Sequence, residues 1–366
     1  MELLSIPPHI SMLTPYEPGL PIAQLKREKK LKKIVKLASN ENPLGASPKA
    51  LAAIKKMGIE THRYPDPSTY ELTQKLSKIY KVPESHLFCA SGTDAILEYL
   101  IMTFTEEHDE VLTSEGTFIG IYVNTLKLKR KLKLVPLNHY QIDLEALRKT
   151  FCEKTKIIYL ANPNNPTGLL FTRGQLEAFL EKIPKTILVI LDEAYDLYAR
   201  SHPQYPDGFS LSYPNLVVTR TFSKSYGLAG LRIGYGLGSE RIIQELKKVR
   251  LPFEPSVLSQ KAALAALDDD AFLSQTLKTN LLSLSQIRKT LHYLSIRYLN
   301  TYANFLLLLF QNETTARTFL EACLNRGLIL RHTKSFGIPN GIRINSGTLA
   351  ETAFACKIIK EVYQTL

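Results

Sequence analysis

Between about residues 86 and 250 the chain alternates short aliphatic runs with helix-like stretches. LFCA (87–90), EVLTS (110–114), IIYLA (157–161), TILVIL (186–191), LVVT (216–219) and RIGYGLG (232–238) are each too short to be core helices. They are rich in aliphatic and β-branched residues and separated by amphipathic segments such as RGQLEAFLEKI. Runs apolar on both faces must be covered on both faces. This pattern therefore predicts an α/β fold, with a mostly parallel central sheet sandwiched by helices. Beyond RLPFEPS (250–256) the pattern changes to long helices over 256–297, a strand in ANFLLLLF (303–310), another helix, short strands in LIL (328–330) and GIRIN (341–345), and a closing helix over 349–363. The expected organisation is an N-terminal arm over 1–40 packing with a small domain, a large domain over 41–252, and a small α+β domain over 253–366.

The net charge of +12 raises nucleic acid as a partner, but two segments carry nearly all of it. KREKKLKKIVK (26–36) has seven bases and one acid, and LKLKRKLKL (126–134) has five bases and no acid. The second alternates leucine with base, apart from Arg130, which predicts a half-exposed strand. Without a helix-turn-helix or zinc-finger signature, both read as solvated faces, so no nucleic-acid partner is expected. Cys89, Cys152, Cys323 and Cys356 are scattered and form no CxxC pair. That argues against a disulfide framework or metal site and fits a reducing, cytoplasmic setting. The start MELLSIPPHI lacks a signal-peptide pattern, and FLLLLF is too short to span a bilayer, so no membrane association is expected.

In open parallel sheets, ligands bind beyond the carboxyl ends of the strands. The polar residues gather there. After LFCA come Ser91, Gly92, Thr93 and Asp94, opening a helix whose free N–H groups would suit a phosphate; ordinary capping would explain them as well. After IIYLA comes NPNNPTG (162–168), which turn chemistry alone would also explain. After TILVIL comes DEAY, with Asp192 and Tyr195; a carboxylate following buried aliphatics needs a cationic or protonated partner. After LVVT comes RTFSKSYGLAGLRIGYG (220–236), where Lys224 is either one more solvated lysine or an amine displayed for chemistry. GYGLG lacks the spacing of a dinucleotide fingerprint, no Walker loop, GxSxG or HExxH is present, and the eight histidines show no ligand spacing. One cofactor accounts for all four strand ends. Pyridoxal phosphate needs a lysine for its aldehyde, an anion cradle, a carboxylate beside its ring nitrogen and donors for its ring oxygen.

With these residues in place, the chain resembles the fold-type I pyridoxal-phosphate-dependent aminotransferases, and among them most closely the histidinol-phosphate aminotransferases. The resemblance runs through LTPY (13–16), LASNENPLGASP (37–48), RYPDPS (63–68), SGTDAI (91–96), NPNNPTG, DEAY, RTFSKSYGLAGLRIGYG and GIPNGIRINSGT (337–348). It implies that Lys224 is the covalent anchor, that Asp192 pairs with the ring nitrogen, and that Asn165 and Tyr195 bond the ring oxygen. It further implies that Phe118 covers the ring face and that Gly92, Thr93, Asp94, Ser223 and Arg232, with Thr221, hold the phosphate. Tyr64 would reach the phosphate of a neighbouring subunit, making the protein a homodimer. Arg331 and Arg343, helped by Tyr16 and Asn40, would bind an amino acid or phosphate ester. The implied reaction is transamination between glutamate and histidinol phosphate in L-histidine biosynthesis. An aromatic amino acid aminotransferase, a threonine-phosphate decarboxylase and a cofactor-binding regulator are the alternatives. Two positions depart from the family pattern. Glu254-Pro255 replaces an Asn-containing stretch near the domain junction and is expected to bear on the substrate. Gly116 stands where a proline is common.

Overall fold

The structure is a computed structural model and describes residues 4–14, 22, 25, 27, 31, 33–57 and 61–365. Along the chain its strands are β1 (Val35–Lys36), β2 (Leu87–Ala90), β3 (Glu110–Ser114), β4 (Lys131–Val135), β5 (Thr155–Ala161), β6 (Leu188–Asp192) and β7 (Leu216–Thr221). There follow β8 (Gly234–Leu237), β9 (Arg297–Tyr298), β10 (Phe305–Leu309), β11 (Leu328–Ile329), β12 (Arg331–His332) and β13 (Gly341–Asn345).

Seven of these form one sheet in the order β2-β8-β7-β6-β5-β3-β4. All neighbours are parallel except β8, which runs antiparallel to both β2 and β7. The period-2 alternation of the strands divides their residues between two cores. Ile158, Leu160, Val189, Leu191 and Val218 enter one, and Ile157, Tyr159, Ile190 and Val217 enter the other. The expected α/β sandwich is what forms, and for the expected reason: both faces of the central strands are apolar and covered.

The register of the central strands aligns their carboxyl ends. Ala161 of β5 pairs with Asp192 of β6, and Asp192 pairs with Thr219 of β7. The segments following β5, β6 and β7 therefore leave the sheet side by side.

A second core gathers Leu306, Leu308, Ile342 and Ile344 of an antiparallel sheet, ordered β12-β13-β10-β9, against Ile287 and Leu291 of the helix Asp270–Tyr293, Phe319 and Ile359. Each of these side chains, fully buried, stabilises the fold by about 1.5–3 kcal/mol. β1 pairs in parallel with β11, which ties the segment preceding the large sheet to this second core. The helix Val257–Ala266 does not join it. Its Ala262, Ala263 and Ala266 pack with Ala50 and Leu72 in the first core.

The expectation of a strand across 126–134 needs correction. Residues up to Lys127 finish the helix Ile119–Lys127, and only Lys131–Val135 is strand, at the sheet edge. Leucines alternating with bases through a helix end and a turn imitate a strand, because a short window does not separate the two periods.

Candidate active site

Beyond the carboxyl ends of β5, β6 and β7 lies a cavity of about 530 Å³. Its lining brings together Lys224, Asp192, Tyr195, Asn165, Phe118, Thr93, Asp94, Thr221, Ser223, Arg232, Asn40, Arg331 and Arg343. These positions come from sites scattered between residues 40 and 343, and strand register together with the second core assembles them.

The floor is made by the last residues of the strands. Asp192 is buried, and both its oxygens are held: the Tyr159 hydroxyl donates to Oδ2 at 2.8 Å, and the Ala194 amide donates to Oδ1 at 3.1 Å. Burial pushes its pKa up to about 6, against the pull of those two donors. The next residue, Glu193, points through the sheet to the opposite face, where it meets Arg220. Lys224 follows β7 in a loop in which the Gly227 amide bonds back to its carbonyl. Its Nζ approaches the Ser39 carbonyl at 3.5 Å and sits 5.9 Å from the Tyr195 ring centroid. Burial, reinforced by the positive Arg343 and Arg232, lowers the amine to about 8. A neutral, nucleophilic amine is therefore populated near physiological pH.

One end of the cavity is an anion cradle. The helix Thr93–Phe104 begins after Gly92, which has no side chain to cap it, so the first-turn N–H groups are not closed off by a cap side chain. Gly92 sits at φ +90°, and a Cβ there would fall 2.8 Å from Arg232 Nη2. That backbone favours glycine, and a side chain there would push the Arg232 guanidinium aside. Arg232 reaches the Ser223 hydroxyl at 3.4 Å, and the Ser223 amide donates to Thr221 Oγ1 at 3.0 Å. Arg232 also lies 3.6 Å from Asp94 in an exposed pair.

At the other end stands Arg343, buried, donating to Asn165 Oδ1 at 2.5 Å and to the Ala38 carbonyl at 2.7 Å. The three asparagines of NPNNPTG divide their work. Asn162 exchanges hydrogen bonds with the Phe171 backbone, and Asn164 bonds Thr117 and the Gly116 carbonyl. Asn165 alone of the three lines the cavity. Asn40, at φ +55°, donates from Nδ2 to the Tyr195 hydroxyl at 2.7 Å, and its own amide bonds Asn345 Oδ1 at 3.1 Å. Arg331 lines the same end, with Phe336 within 6 Å of both arginines.

One expected site residue stands apart. Tyr64 does not line the cavity; it is 78% exposed and stacks on Phe253 with ring centroids 4.2 Å apart. Tyr16 lies outside the described residues. Glu254, expected to bear on the substrate, is not in the lining either. It is buried, and its Oε1 accepts the Tyr99 hydroxyl at 2.6 Å, a structural bond. The glycine at 116 has a physical reason. Its φ is +62°, which proline cannot adopt, and a Cβ would meet Leu137 Cδ1 at 2.5 Å.

Sequence reasoning missed Tyr159, Asn345 and Phe336, and also Glu98 and Lys127, which form a 2.8 Å ion pair at the cavity wall. Tyr159 carried a weak signal as the one polar-tipped residue within IIYLA. The others depend on contacts between distant segments and carried none.

The fold and the cavity define a class of protein that holds an anionic cofactor above an aspartate and beside a lysine. The sequence pattern of the family described as aminotransferase class I and II matches residues 32–359. The chain is 40% identical over 349 residues to a histidinol-phosphate aminotransferase of Anaeromyxobacter sp., covering 94% of this chain and 95% of that one. It is 37% identical over 371 residues to one of Bdellovibrio bacteriovorus, with 99% of each covered. Among solved structures, the histidinol-phosphate aminotransferase of Sinorhizobium meliloti in complex with pyridoxal-5'-phosphate superposes with a TM-score of 0.91 at 28% identity, covering 98% of both chains. The aspartate aminotransferase of Thermus thermophilus, at 17% identity over 98% of this chain and all of that one and a TM-score of 0.86, shares the fold. The chain belongs to the class I and II aminotransferases, of fold type I.

Proposed function

We propose that the protein is a pyridoxal-phosphate-dependent transaminase that exchanges an amino group between glutamate and 2-oxoglutarate on one side and histidinol phosphate and imidazole-acetol phosphate on the other, a step of L-histidine biosynthesis. One observation carries the reading: a half-buried lysine, a buried aspartate and an uncapped helix N-terminus beside an arginine face the same cavity.

The residues fit the cofactor. Asp192 is a buried carboxylate whose oxygens are held but not neutralised, and a protonated ring nitrogen would supply the missing charge. The Gly92 gap leaves Arg232 and the helix N-terminus converging on one point, where a phosphate would sit. Thr93, Asp94, Thr221, Ser223 and Arg232 would hold that phosphate, Asn165 and Tyr195 the ring oxygen, and Phe118 the ring face. When bound, the cofactor supplies an electron sink for the bond broken at the substrate α-carbon.

This chain's residues do the rest. Lys224 would be the amine that anchors the cofactor and would carry the proton at the substrate α-carbon; its lowered pKa suits both tasks. Asp192 would face the ring nitrogen and favour its protonated form. Arg343 orients the substrate carboxylate through paired N–H groups, and Arg331 takes the distal anion, carboxylate or phosphate ester. Asn40 orients the Tyr195 hydroxyl, and Tyr16 contributes from the arm.

The exposure of Tyr64 supports its reaching a neighbouring subunit's phosphate, and with it a homodimer. The proposed location is cytoplasmic, supported by the four unpaired cysteines. Among the described residues no helix is long and apolar enough to cross a membrane. The proposed units are the arm over 1–40, the large domain over 41–252 and the small domain over 253–366, with the helix Val257–Ala266 of the last packing into the core of the large one.

Half-reaction spectra test the substrate. Histidinol phosphate is expected to convert the bound cofactor faster than phenylalanine or threonine phosphate, and glutamate is expected to do so too. A faster conversion by phenylalanine, or carbon dioxide release from threonine phosphate, would overturn this assignment.

A further inference from the structure

Tyr159 is fully buried in the middle of the sheet, and its hydroxyl donates to Asp192 Oδ2 at 2.8 Å. The register explains the contact. Ala161 lies beside Asp192 on the neighbouring strand, and Tyr159, two residues earlier, shares that face and reaches forward along it. The small Ala161 side chain leaves the carboxylate open to the cavity, which Ala161 itself lines. The Ala194 amide fixes the other oxygen. A buried phenol placed for packing alone would be replaceable by phenylalanine; this one spends its only donor on the carboxylate that faces the cofactor site. Burial, then the Asp192 charge, push the phenol pKa well above its usual value, so it stays a neutral donor throughout the working range.

We propose that Tyr159 is a positioning residue for the transamination chemistry: its hydroxyl holds Asp192 in the orientation that recognises a protonated ring nitrogen, and so selects for a pyridine ring over a carbocyclic one. The inference rests on the cofactor reading above. Tyr159 touches neither substrate nor cofactor, and it acts through Asp192 alone.

The test compares dissociation constants of the refolded apoprotein for pyridoxal phosphate and for its carbocyclic analogue, in which CH replaces the ring nitrogen. The parent protein should prefer the pyridine ring. In Tyr159→Phe, which removes one oxygen and keeps the ring, that preference should shrink about tenfold, as expected for losing a hydrogen bond to a charged group. Binding of the carbocyclic analogue should be unchanged. In Asp192→Asn the preference should disappear, and adding Tyr159→Phe to that variant should change nothing further. A merely structural tyrosine would weaken both ligands equally, and that result, or an unchanged ratio, would overturn the proposal. Failure of the parent protein to bind pyridoxal phosphate at all would instead overturn the cofactor reading. Thermal unfolding of each apoprotein confirms that the compared chains are folded.

Discussion

Asp192 and Glu193 are adjacent carboxylates at the end of one strand, both buried, and they live in opposite regions of the molecule. Asp192 faces the cavity, held by a phenol and an amide but with no cation bonded to it. Glu193 faces the first core, where its Oε2 accepts from Arg220 Nε at 2.9 Å and Nη2 at 2.7 Å, and its Oε1 accepts the Gly208 amide at 2.8 Å. Arg220 in turn meets Asp207 and Asp196 and lies 4.0 Å over the Phe209 ring. Below the sheet, charge is neutralised and locked. Burial raises both carboxyls, Glu193 to about 7 and Asp192 to about 6, but only Glu193 has a cation hydrogen-bonded to it. Above the sheet Asp192 is held by neutral donors alone, and burial lowers the Lys224 amine. The lower cluster serves stability, and the upper one gives up stability for a partner that completes it.

Four measurements can break or sharpen that contrast. Lys224→Ala should reduce turnover by roughly 10³-fold or more, since it removes the covalent anchor and proton carrier together. The variant should unfold no more easily than the parent apoprotein. Turnover at the parent rate would dissolve the distinction between the two faces.

Glu193→Ala should cost about 3 kcal/mol in denaturant unfolding, because it removes the one fully buried carboxylate bonded to a fully buried guanidinium and leaves that guanidinium only Asp196 and the partly exposed Asp207. The folded fraction should still bind pyridoxal phosphate. A stable variant that has lost the cofactor would place Glu193 in the wrong region.

Asp192→Asn should do the reverse, stabilising the apoprotein while abolishing its preference for a protonated ring. The folded pKa of about 6 lies above the ordinary 3.8. Between those values the folded chain retains a proton that the unfolded chain has released, so stability falls as pH rises through that window. The full penalty, about 2–3 kcal/mol, applies above pH 6. The asparagine variant should therefore melt higher than the parent at pH 7.5 and equally at pH 3. An equal melting point at both would mean that Asp192 carries no such burden.

Thr172→Ala sets the scale. Thr172 belongs to neither region and closes a capping box with Gln175. Its loss should cost about 1 kcal/mol with activity intact. A larger cost would mean that stability is less local than the contrast assumes.

The sheet and its polar strand ends were legible because they are local patterns: aliphatic runs of strand length, each followed by small, polar or turn residues. The closing helix over 349–363 was legible for the same reason, and it forms over Leu349–Tyr363 with Thr348 and Glu351 as its capping box. The stretch 126–134 misled because its alternation spans a helix end, a turn and a strand. Tyr159 was only faintly legible, because a tyrosine inside an aliphatic run differs from its neighbours by one hydroxyl, whose partner lies on another strand. Glu254 drew attention as a departure from the family pattern, yet its carboxylate bonds Tyr99 far along the chain rather than lining the cavity.

By itself, the order of residues determined that strands would alternate with helices, and that a lysine, an aspartate, a glycine-led helix start and an asparagine turn would each follow a strand. Only the tertiary structure decided which of two neighbouring carboxylates shares the cavity with the lysine, that Tyr159 supports it, and that Arg343 arrives beside Asn165. Backbone propensity and hydrophobic period act over a few residues. Strand register and the packing of the second core join residues more than a hundred positions apart, and no local stretch of sequence encodes those joins.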